Sequence, residues 1–179
     1  MDELIVLKDI SSRLIAAEIP FMLSGSLAMS YYAQPRMTRD VDIVIELNPQ
    51  DIHTFSGLFQ KDYYVSVEMI QDAVKKNSMF NIIHNKAIVK VDFIVRKNSE
   101  YRKHEFQRRK KIRISDFTTY IVSIEDLIIS KIFWMKDSLS EFQKRDIKNL
   151  LSCDYDKNYL TLWIEKMGLT KIYTDIING

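Results

Sequence analysis

Residues 23–45 have the sequence LSGSLAMSYYAQPRMTRDVDIVI, and this segment decides the fold. The apolar residues 21–23 predict a short buried strand that runs into Gly25, and residues 27–32 are typical of a helix. Residues 41–47 alternate and are rich in β-branched side chains, which predicts a second strand. The segment therefore predicts a glycine at a strand-to-helix turn, followed by a strand with aspartates at its start.

Asp40 and Asp42 are two residues apart, so in a strand both carboxylates project from the same face. Two carboxylates held this close repel each other, and a divalent cation removes the repulsion. Mg²⁺ suits such a site because it binds a few carboxylates and completes its octahedron with substrate phosphates. The alternative is a solvated acidic strand edge that holds no metal.

Gly25 and Ser26 lie where a phosphate can bind. A residue without a Cβ lets a phosphate approach backbone N–H groups, and the N-terminus of the following helix favours an anion. A Gly-Ser turn is also an ordinary helix start, so the turn alone does not indicate a nucleotide. Together with Asp40 and Asp42, it predicts a site for a metal-bound nucleotide.

The combined pattern resembles the signature of the DNA polymerase β-like nucleotidyltransferase superfamily. A hydrophobic residue precedes Gly25-Ser26, and thirteen residues separate this pair from Asp40-Val-Asp-Ile. The resemblance implies a third carboxylate on a later strand, and Asp92 within the β-rich residues 87–96 is the matching position. An isolated acid in an apolar strand is unfavourable unless it has a partner or a metal, which favours a functional Asp92.

Within the superfamily, the chain resembles most the small prokaryotic branch that includes abortive-infection toxins of type IV toxin–antitoxin systems. The matching motifs are Arg-x-Thr-x-Asp-x-Asp at residues 36–42 and Asp-x4-Lys at residues 126–131. A following helix carries paired acids in that branch; this sequence keeps Asp146 but has Asn149 at the second place. The chain is also shorter than a typical toxin, and the resemblance covers residues 20–150.

The resemblance implies catalytic and metal-binding roles for the three aspartates. Asp40 and Asp42 would hold Mg²⁺, or alternatively Mn²⁺, on a nucleoside triphosphate. Asp92 would bind the catalytic metal and position or deprotonate an acceptor hydroxyl, in an in-line displacement.

Four further residues are expected to bind the nucleotide: Gly25, Ser26, Arg39 and Lys131. Ser26 would donate a hydrogen bond to a phosphate oxygen. Lys131 could reach the phosphates as a point charge, or it could be a surface lysine whose stem lies on apolar residues. Arg39, like Arg36, could neutralise phosphate charge or pair with the neighbouring aspartates.

The segment 102–113 is the one dense basic run of the sequence, with Tyr101 and Phe106 as candidates for base stacking. Such a run suits an RNA acceptor such as tRNA, whose backbone charge it would neutralise. The alternative is a solvated basic surface, since a net charge of +2 does not indicate a nucleic-acid binder.

The order of the elements predicts an α+β fold, with a mixed β-sheet flanked by helices and a helical C-terminal appendage. Residues 1–122 are expected to form the nucleotidyltransferase core. Residues 123–179 are expected to form helices packed on that core as one compact unit, since neither a linker nor a repeat separates them. The sequence-based helices cover residues 2–18, 27–32, 49–60, 67–76, 123–136, 141–151 and 157–167.

Cys153 is the only cysteine, which excludes an intramolecular disulfide and indicates a reducing compartment. The N-terminus starts with two acids and has the apolar spacing of an amphipathic helix, unlike a signal peptide. No apolar run has the length of a membrane span. We therefore expect a cytoplasmic protein.

Three classes of function follow from these patterns. One of them is a basic RNA-binding module that uses residues 101–113 and in which the aspartates are incidental; the other two depend on the nucleotidyltransferase pattern. The first is an enzyme that moves a nucleotidyl group from an NTP to an unidentified acceptor, which is a tRNA, a protein or a small molecule. The second is a non-catalytic protein of the same fold that binds or regulates a partner, for example within a toxin–antitoxin pair. The three clustered carboxylates favour the enzyme.

Overall fold

The computed structural model of the protein describes residues 2–34, 38–136 and 140–178. The chain divides into two compact units, each made of two stretches: Met1–Leu27 with Met37–Val122, and Ala28–Arg36 with Ser123–Gly179. The sheet and its helices belong to the first unit, whereas the second unit is helical. The predicted division of the sequence after residue 122 stays a prediction.

A mixed sheet of seven strands forms the centre of the first unit. The strands are β1 (Phe21–Leu23), β2 (Asp40–Ile45), β3 (Tyr63–Tyr64), β4 (Met79–His84), β5 (Lys90–Val95), β6 (Lys110–Ile114) and β7 (Phe117–Ile121). Their order across the sheet is β3-β4-β5-β2-β1-β7-β6. The pairs β2–β5 and β1–β7 are parallel and the other pairs are antiparallel. The sheet and its flanking helices confirm the predicted α+β fold.

Most of the helices follow the predicted boundaries closely. They are α1 (Asp2–Ala16), α2 (Gly25–Tyr32), α3 (Ile52–Phe59), α4 (Val67–Lys76), α5 (Glu100–Gln107), α6 (Ile124–Trp134), α7 (Glu141–Leu151), α8 (Lys157–Lys166) and α9 (Thr170–Asn178), with a short 3-10 helix at Pro49–Asp51 before α3. In the described ranges, no helix combines the length and the apolar character needed to cross a membrane.

Three of these elements have no counterpart in the sequence-based expectations: β3, α5 and α9. Strand β3 has only two residues, too few for an alternating pattern. Helix α5 has the sequence EYRKHEFQ, in which charged residues hide the apolar period, although Ser99 caps it by accepting a hydrogen bond from the Arg102 backbone N–H at 3.3 Å. The local sequence pattern does not predict these elements, and their formation depends on tertiary contacts.

Helix α1 packs against the sheet because its apolar residues recur at helical spacing. Val6, Leu7, Ile10 and Leu14 are buried, and the helix ends before Pro20. A hydrogen bond of 2.9 Å between the buried Ser11 and Thr119 hydroxyls joins α1 to β7. The contact satisfies two polar groups inside an otherwise apolar interface.

A cluster of phenylalanine rings fills the core on one face of β4 and β5. Phe55 of α3 contacts Phe80 at 5.4 Å and Phe93 at 5.1 Å between ring centroids, in edge-to-face geometry. Phe80 and Phe93 stack on each other at 5.2 Å. Because side chains alternate along a strand, Asp92 projects from the opposite face of β5 to Phe93. The cluster therefore anchors the strand that carries Asp92.

We expect Phe55→Ala to lower the free energy of unfolding by about 3–5 kcal/mol, because it removes a fully buried ring and leaves a cavity. Urea denaturation followed by circular dichroism measures the change. The matched control is Tyr64→Ala, since Tyr64 is 61% exposed and its removal leaves no cavity. A similar loss of stability in both variants would contradict the assignment of the core.

Candidate functional site

The parallel pair β2–β5 brings the three aspartates of the sequence analysis onto one face of the sheet. In its register Asp42 lies beside Asp92, and Asp40 lies beside Lys90. On the same two strands, the alternate residues turn to the other face and are buried: Val41 and Ile43 on β2, and Val91 and Phe93 on β5. The alternation predicted for Asp40 and Asp42 is therefore present, and the pairing adds Asp92 to the same surface.

Lys90 is the cation that accompanies these carboxylates. Its Nζ lies 2.8 Å from Oδ2 of Asp92 and 3.9 Å from Oδ2 of Asp40. The hydrogen bond with Asp92 raises the pKa of the Lys90 ammonium, and the charges of Asp92, Asp40 and Asp42 raise it further, while partial burial opposes them. Lys90 therefore stays positively charged and offsets part of the repulsion among the aspartates.

Asp92 is the most buried member of the group, with 7% of its surface exposed. Its Oδ2 accepts from Lys90, whereas its Oδ1 is buried and has no hydrogen-bond partner among the described residues. A buried carboxylate oxygen without a partner is unfavourable, and a metal–ligand bond would remove this penalty.

Gly25 makes close contact with Asp42 at the start of α2. A Cβ on Gly25 would lie 1.9 Å from Asp42 Oδ2, so only glycine leaves room for this carboxylate. The φ angle of Gly25 is +62°, which L-residues rarely adopt. The Ser24 backbone N–H also donates to the Asp42 carbonyl at 2.9 Å, which fixes the turn against β2.

Ser26 follows in the first turn of α2 and is 9% exposed. Backbone N–H groups in a first helical turn have no partner within the helix and attract anions. The predicted strand-to-helix turn is therefore present at Gly25, and the first turn of α2 starts directly beside the Asp42 carboxylate.

The donor chemistry of this group fits a hard divalent cation, because the oxygens of Asp40, Asp42 and Asp92 are the ligands that Mg²⁺ prefers. The orphaned Oδ1 of Asp92 points to the same conclusion. In the described conformation, however, no three His, Cys, Asp or Glu side chains of residues 2–34, 38–136 and 140–178 are grouped so that they could hold a metal. The Lys90 ammonium occupies the space between Asp40 and Asp92 instead.

Two of the nucleotide-binding predictions concern residues outside this group. Arg39 is exposed and directly precedes β2. Lys131 lies on α6 in the second unit, where its Nζ donates to Asp146 at 2.9 Å and is largely buried. Arg36 lies outside the described residues. Contact of Arg39 or Lys131 with a nucleotide stays a prediction.

The Asp-x4-Lys motif is held by hydrogen bonds within the second unit. Asp126 is fully buried and accepts from the Ser123 and Tyr159 hydroxyls, each at 2.7 Å. Asp146, the acid retained from the last family motif, is 4% exposed and pairs with Lys131. These contacts give both acids a structural role, since buried charges need partners.

The basic segment 102–113 divides between α5 and β6. The prediction that Tyr101 and Phe106 are available for stacking is wrong: they are 5% and 2% exposed because their rings pack into the core. Arg102 donates to both carboxylate oxygens of Glu105, at 2.9 and 2.8 Å. Part of the positive charge is therefore used within the fold.

Lys90 is the site residue that sequence reasoning missed. It stands two positions before Asp92 and so shares its face of β5, and this spacing could have been recognised in the sequence. Its proximity to Asp40 depends on the parallel pairing of β2 with β5. In the sequence, 44 residues separate these two strands, and they form α3, β3, α4 and β4. Local spacing carries no information about that pairing.

Solved structures with a similar fold include an antibiotic adenylyltransferase and a nucleotidyltransferase-like protein. The lincosamide antibiotic adenylyltransferase LnuA, solved with lincomycin bound, matches with a TM-score of 0.56 and 17% identity over 84% of this chain and 96% of its own. An antigenic nucleotidyltransferase-like protein from Paracoccidioides brasiliensis matches with 0.53 and 20%, over 84% and 75%. The antibiotic-resistance factor ANT(2'')-Ia matches with 0.53 and 10%, over 97% and 88%.

The chain therefore has the nucleotidyltransferase fold that its motifs predicted. No protein-family model matches the sequence, and the comparison with curated proteins finds no match. The likeness to the abortive-infection branch stays a prediction.

Three glycine-to-alanine variants separate the contact at Gly25 from backbone strain. Gly25→Ala meets both the Asp42 carboxylate and a φ of +62°, Gly168→Ala meets only a φ of +65°, and Gly57→Ala in α3 meets neither. We expect Gly57→Ala to stabilise the protein by about 0.4–1 kcal/mol and Gly168→Ala to destabilise it by about 1–2 kcal/mol. Gly25→Ala should lower the free energy of unfolding by more than Gly168→Ala does.

Urea denaturation of the three variants measures these differences. Equal stability of the Gly25→Ala and Gly168→Ala variants would show that Asp42 does not press against the turn. A stable Gly25→Ala variant would overturn the geometry of the site.

Proposed function

We propose that the protein is a nucleotidyltransferase that moves a nucleotidyl group from a nucleoside triphosphate to an acceptor hydroxyl and releases pyrophosphate. The observation that carries the proposal is the contact of Gly25 with the Asp42 carboxylate. This contact joins the glycine turn to the strand pair that carries all three aspartates. The nucleotidyltransferase fold supports the same type of reaction.

Mg²⁺, or alternatively Mn²⁺, is the cofactor of this proposal. Asp40 and Asp42 would hold the metal on the triphosphate, and Asp92 would hold the catalytic metal. When bound, the metal supplies positive charge to the attacking and leaving oxygens. Gly25, Ser26 and the first turn of α2 would bind the phosphates through backbone N–H groups and the Ser26 hydroxyl.

Asp92 is the residue that we assign to proton transfer. It would accept the proton of the acceptor hydroxyl, whose oxygen forms a bond to the α-phosphorus. The bond between the α-phosphorus and the bridging oxygen breaks, and its electron pair leaves with pyrophosphate. The reaction therefore uses positioning and charge rather than a covalent enzyme intermediate.

A non-catalytic protein of the same fold, such as a toxin–antitoxin component, is the competing proposal. The ion pairs of Lys90 favour it, because an ammonium can neutralise clustered aspartates without any metal. Such a protein would keep its folded site and yet neither bind a metal-bound NTP nor transfer its nucleotidyl group.

The first test compares wild type with Asp42→Asn and Asp92→Asn. Calorimetric titration of each NTP, with and without Mg²⁺, measures binding, and α-labelled NTPs added with a cell extract reveal transfer and its acceptor. We expect Mg²⁺-dependent binding in wild type and a loss of transfer of about a thousandfold or more in both variants, because each removes several kcal/mol of charge stabilisation.

The matched control is Asp72→Asn, which removes an exposed carboxylate that pairs with the exposed Lys76 across one turn of α4. This variant should transfer as wild type does. If wild type binds no NTP under any metal condition, the non-catalytic proposal replaces the enzyme.

RNA is the acceptor class that a further observation favours. Lys110, Lys111 and Arg113 are exposed on β6, which lies at an edge of the sheet. Lys111 and Arg113 share one face of this edge strand and Lys110 projects from the other. Exposed cations at a sheet edge can neutralise the phosphates of an RNA backbone. The likeness to LnuA, solved with lincomycin bound, makes a small-molecule hydroxyl the alternative acceptor.

A charge-removal variant decides between the two acceptors. Replacing Lys110, Lys111 and Arg113 by glutamine should weaken binding to a tRNA pool, while NTP binding stays unchanged. The slope of log affinity against log salt concentration should fall by an amount that corresponds to about two to three lost phosphate contacts. The control replaces the exposed Lys61, Lys75 and Lys76 by glutamine. An equal effect of both triple variants, or none, would contradict an RNA acceptor bound through β6.

A further inference from the structure

Lys90 stands in a position that a metal ion and an ammonium cannot share. Its Nζ hydrogen-bonds to Oδ2 of Asp92 and lies 3.9 Å from Oδ2 of Asp40. A divalent cation held by the same two carboxylates would lie within a few ångströms of this ammonium, and the two positive charges would repel each other strongly. The metal-binding state therefore requires Lys90 to leave Asp92.

The side chain of Lys90 is able to make that movement. Lys90 is the first residue of β5, and its side chain is 40% exposed, whereas that of Asp92 is only 10% exposed. A lysine carries its charge on a flexible four-carbon stem, so the ammonium can swing away while the backbone stays paired with β2. The carboxylates, by contrast, sit on two strands held in register.

The displaced ammonium needs a new anionic partner. Without one, the ammonium would remain an unpaired positive charge a few ångströms from the metal, and the two cations would repel each other. The triphosphate of a nucleotide bound at Gly25 and Ser26 is an anion that would meet this need at the same face of the sheet. Metal binding and nucleotide binding are then coupled through one side chain.

We propose that Lys90 is a built-in counter-ion that holds the aspartate group together without a metal and is displaced onto the nucleotide phosphates when a divalent cation binds. The inference rests on the proposed function for its nucleotide. Lys90 is thus a positioning residue: it sets when the aspartates accept a metal, and it keeps the nucleotide-free protein from binding one tightly.

Direct titration of Mn²⁺, followed by its electron paramagnetic resonance signal, tests the inference without any measurement of activity. Wild type, Lys90→Gln, Lys90→Arg and Lys86→Gln are compared in the absence of nucleotide. We expect Lys90→Gln to bind Mn²⁺ about tenfold more tightly than wild type, because the metal no longer competes with the Lys90 ammonium for the carboxylates. Lys90→Arg should resemble wild type, because it keeps the charge.

Lys86→Gln is the matched control, since Lys86 is an exposed lysine in the turn between β4 and β5. It removes one positive charge outside the aspartate group and should leave Mn²⁺ affinity unchanged. Equal Mn²⁺ affinity of wild type and Lys90→Gln, or an equal gain in Lys86→Gln, overturns the inference. Thermal unfolding of each variant ensures that only folded proteins are compared.

A second titration includes a non-hydrolysable ATP analogue. The advantage of Lys90→Gln over wild type should shrink to about threefold or less, because the ammonium of wild type now pairs with phosphate. An undiminished advantage would overturn the transfer of Lys90 to the nucleotide.

If Lys90→Gln gains Mn²⁺ affinity but no NTP is bound or turned over, the proposed function fails while the counter-ion role remains. If transfer depends on Asp92 but Lys90→Gln gains no affinity, only the counter-ion role fails.

Discussion

The parallel pairing of β2 with β5 is the constraint on which the candidate site depends. Its register sets Asp42 beside Asp92 and Asp40 beside Lys90, so three negative charges and one positive charge share a single face. Carboxylates this close are unfavourable unless a cation lies among them. The phenylalanine cluster on the opposite face of β4 and β5 holds the strands in place against that repulsion. The hydrophobic core thus supports an arrangement of charges that would not assemble by itself.

Gly25 extends this arrangement to the glycine turn. Its missing side chain admits the Asp42 carboxylate, and its positive φ turns the chain from β1 into α2. One residue therefore satisfies a packing requirement and a backbone requirement at the same place, which explains why the turn and the strand form one unit of structure. A site built from regular elements in this way holds its groups more precisely than a site built on loops.

Residues outside the aspartate group show what sequence motifs do not predict. Lys131, Asp126 and Asp146 match family motifs, and in the second unit each is buried or nearly so with a hydrogen-bond partner. Tyr101 directly precedes the basic segment 102–113 and Phe106 lies within it, and yet both side chains are buried. A motif names the residue types but not their partners, and a buried polar group takes whichever partner the packing supplies.

The sequence by itself determined the α+β class, the boundaries of most helices and strands, the glycine at the strand-to-helix turn and the shared face of Asp40 and Asp42. These features follow from local periodicity, which a strand or helix expresses without reference to the rest of the chain. Only the tertiary structure decided that Lys90 joins the aspartates and that Asp42 lies against Gly25. It also decided that one oxygen of Asp92 has no hydrogen-bond partner within the described part of the chain. The physical reason is that strand pairing is non-local: β2 and β5 meet across intervening helices and strands, and the register of that meeting is set by the packing of the whole sheet.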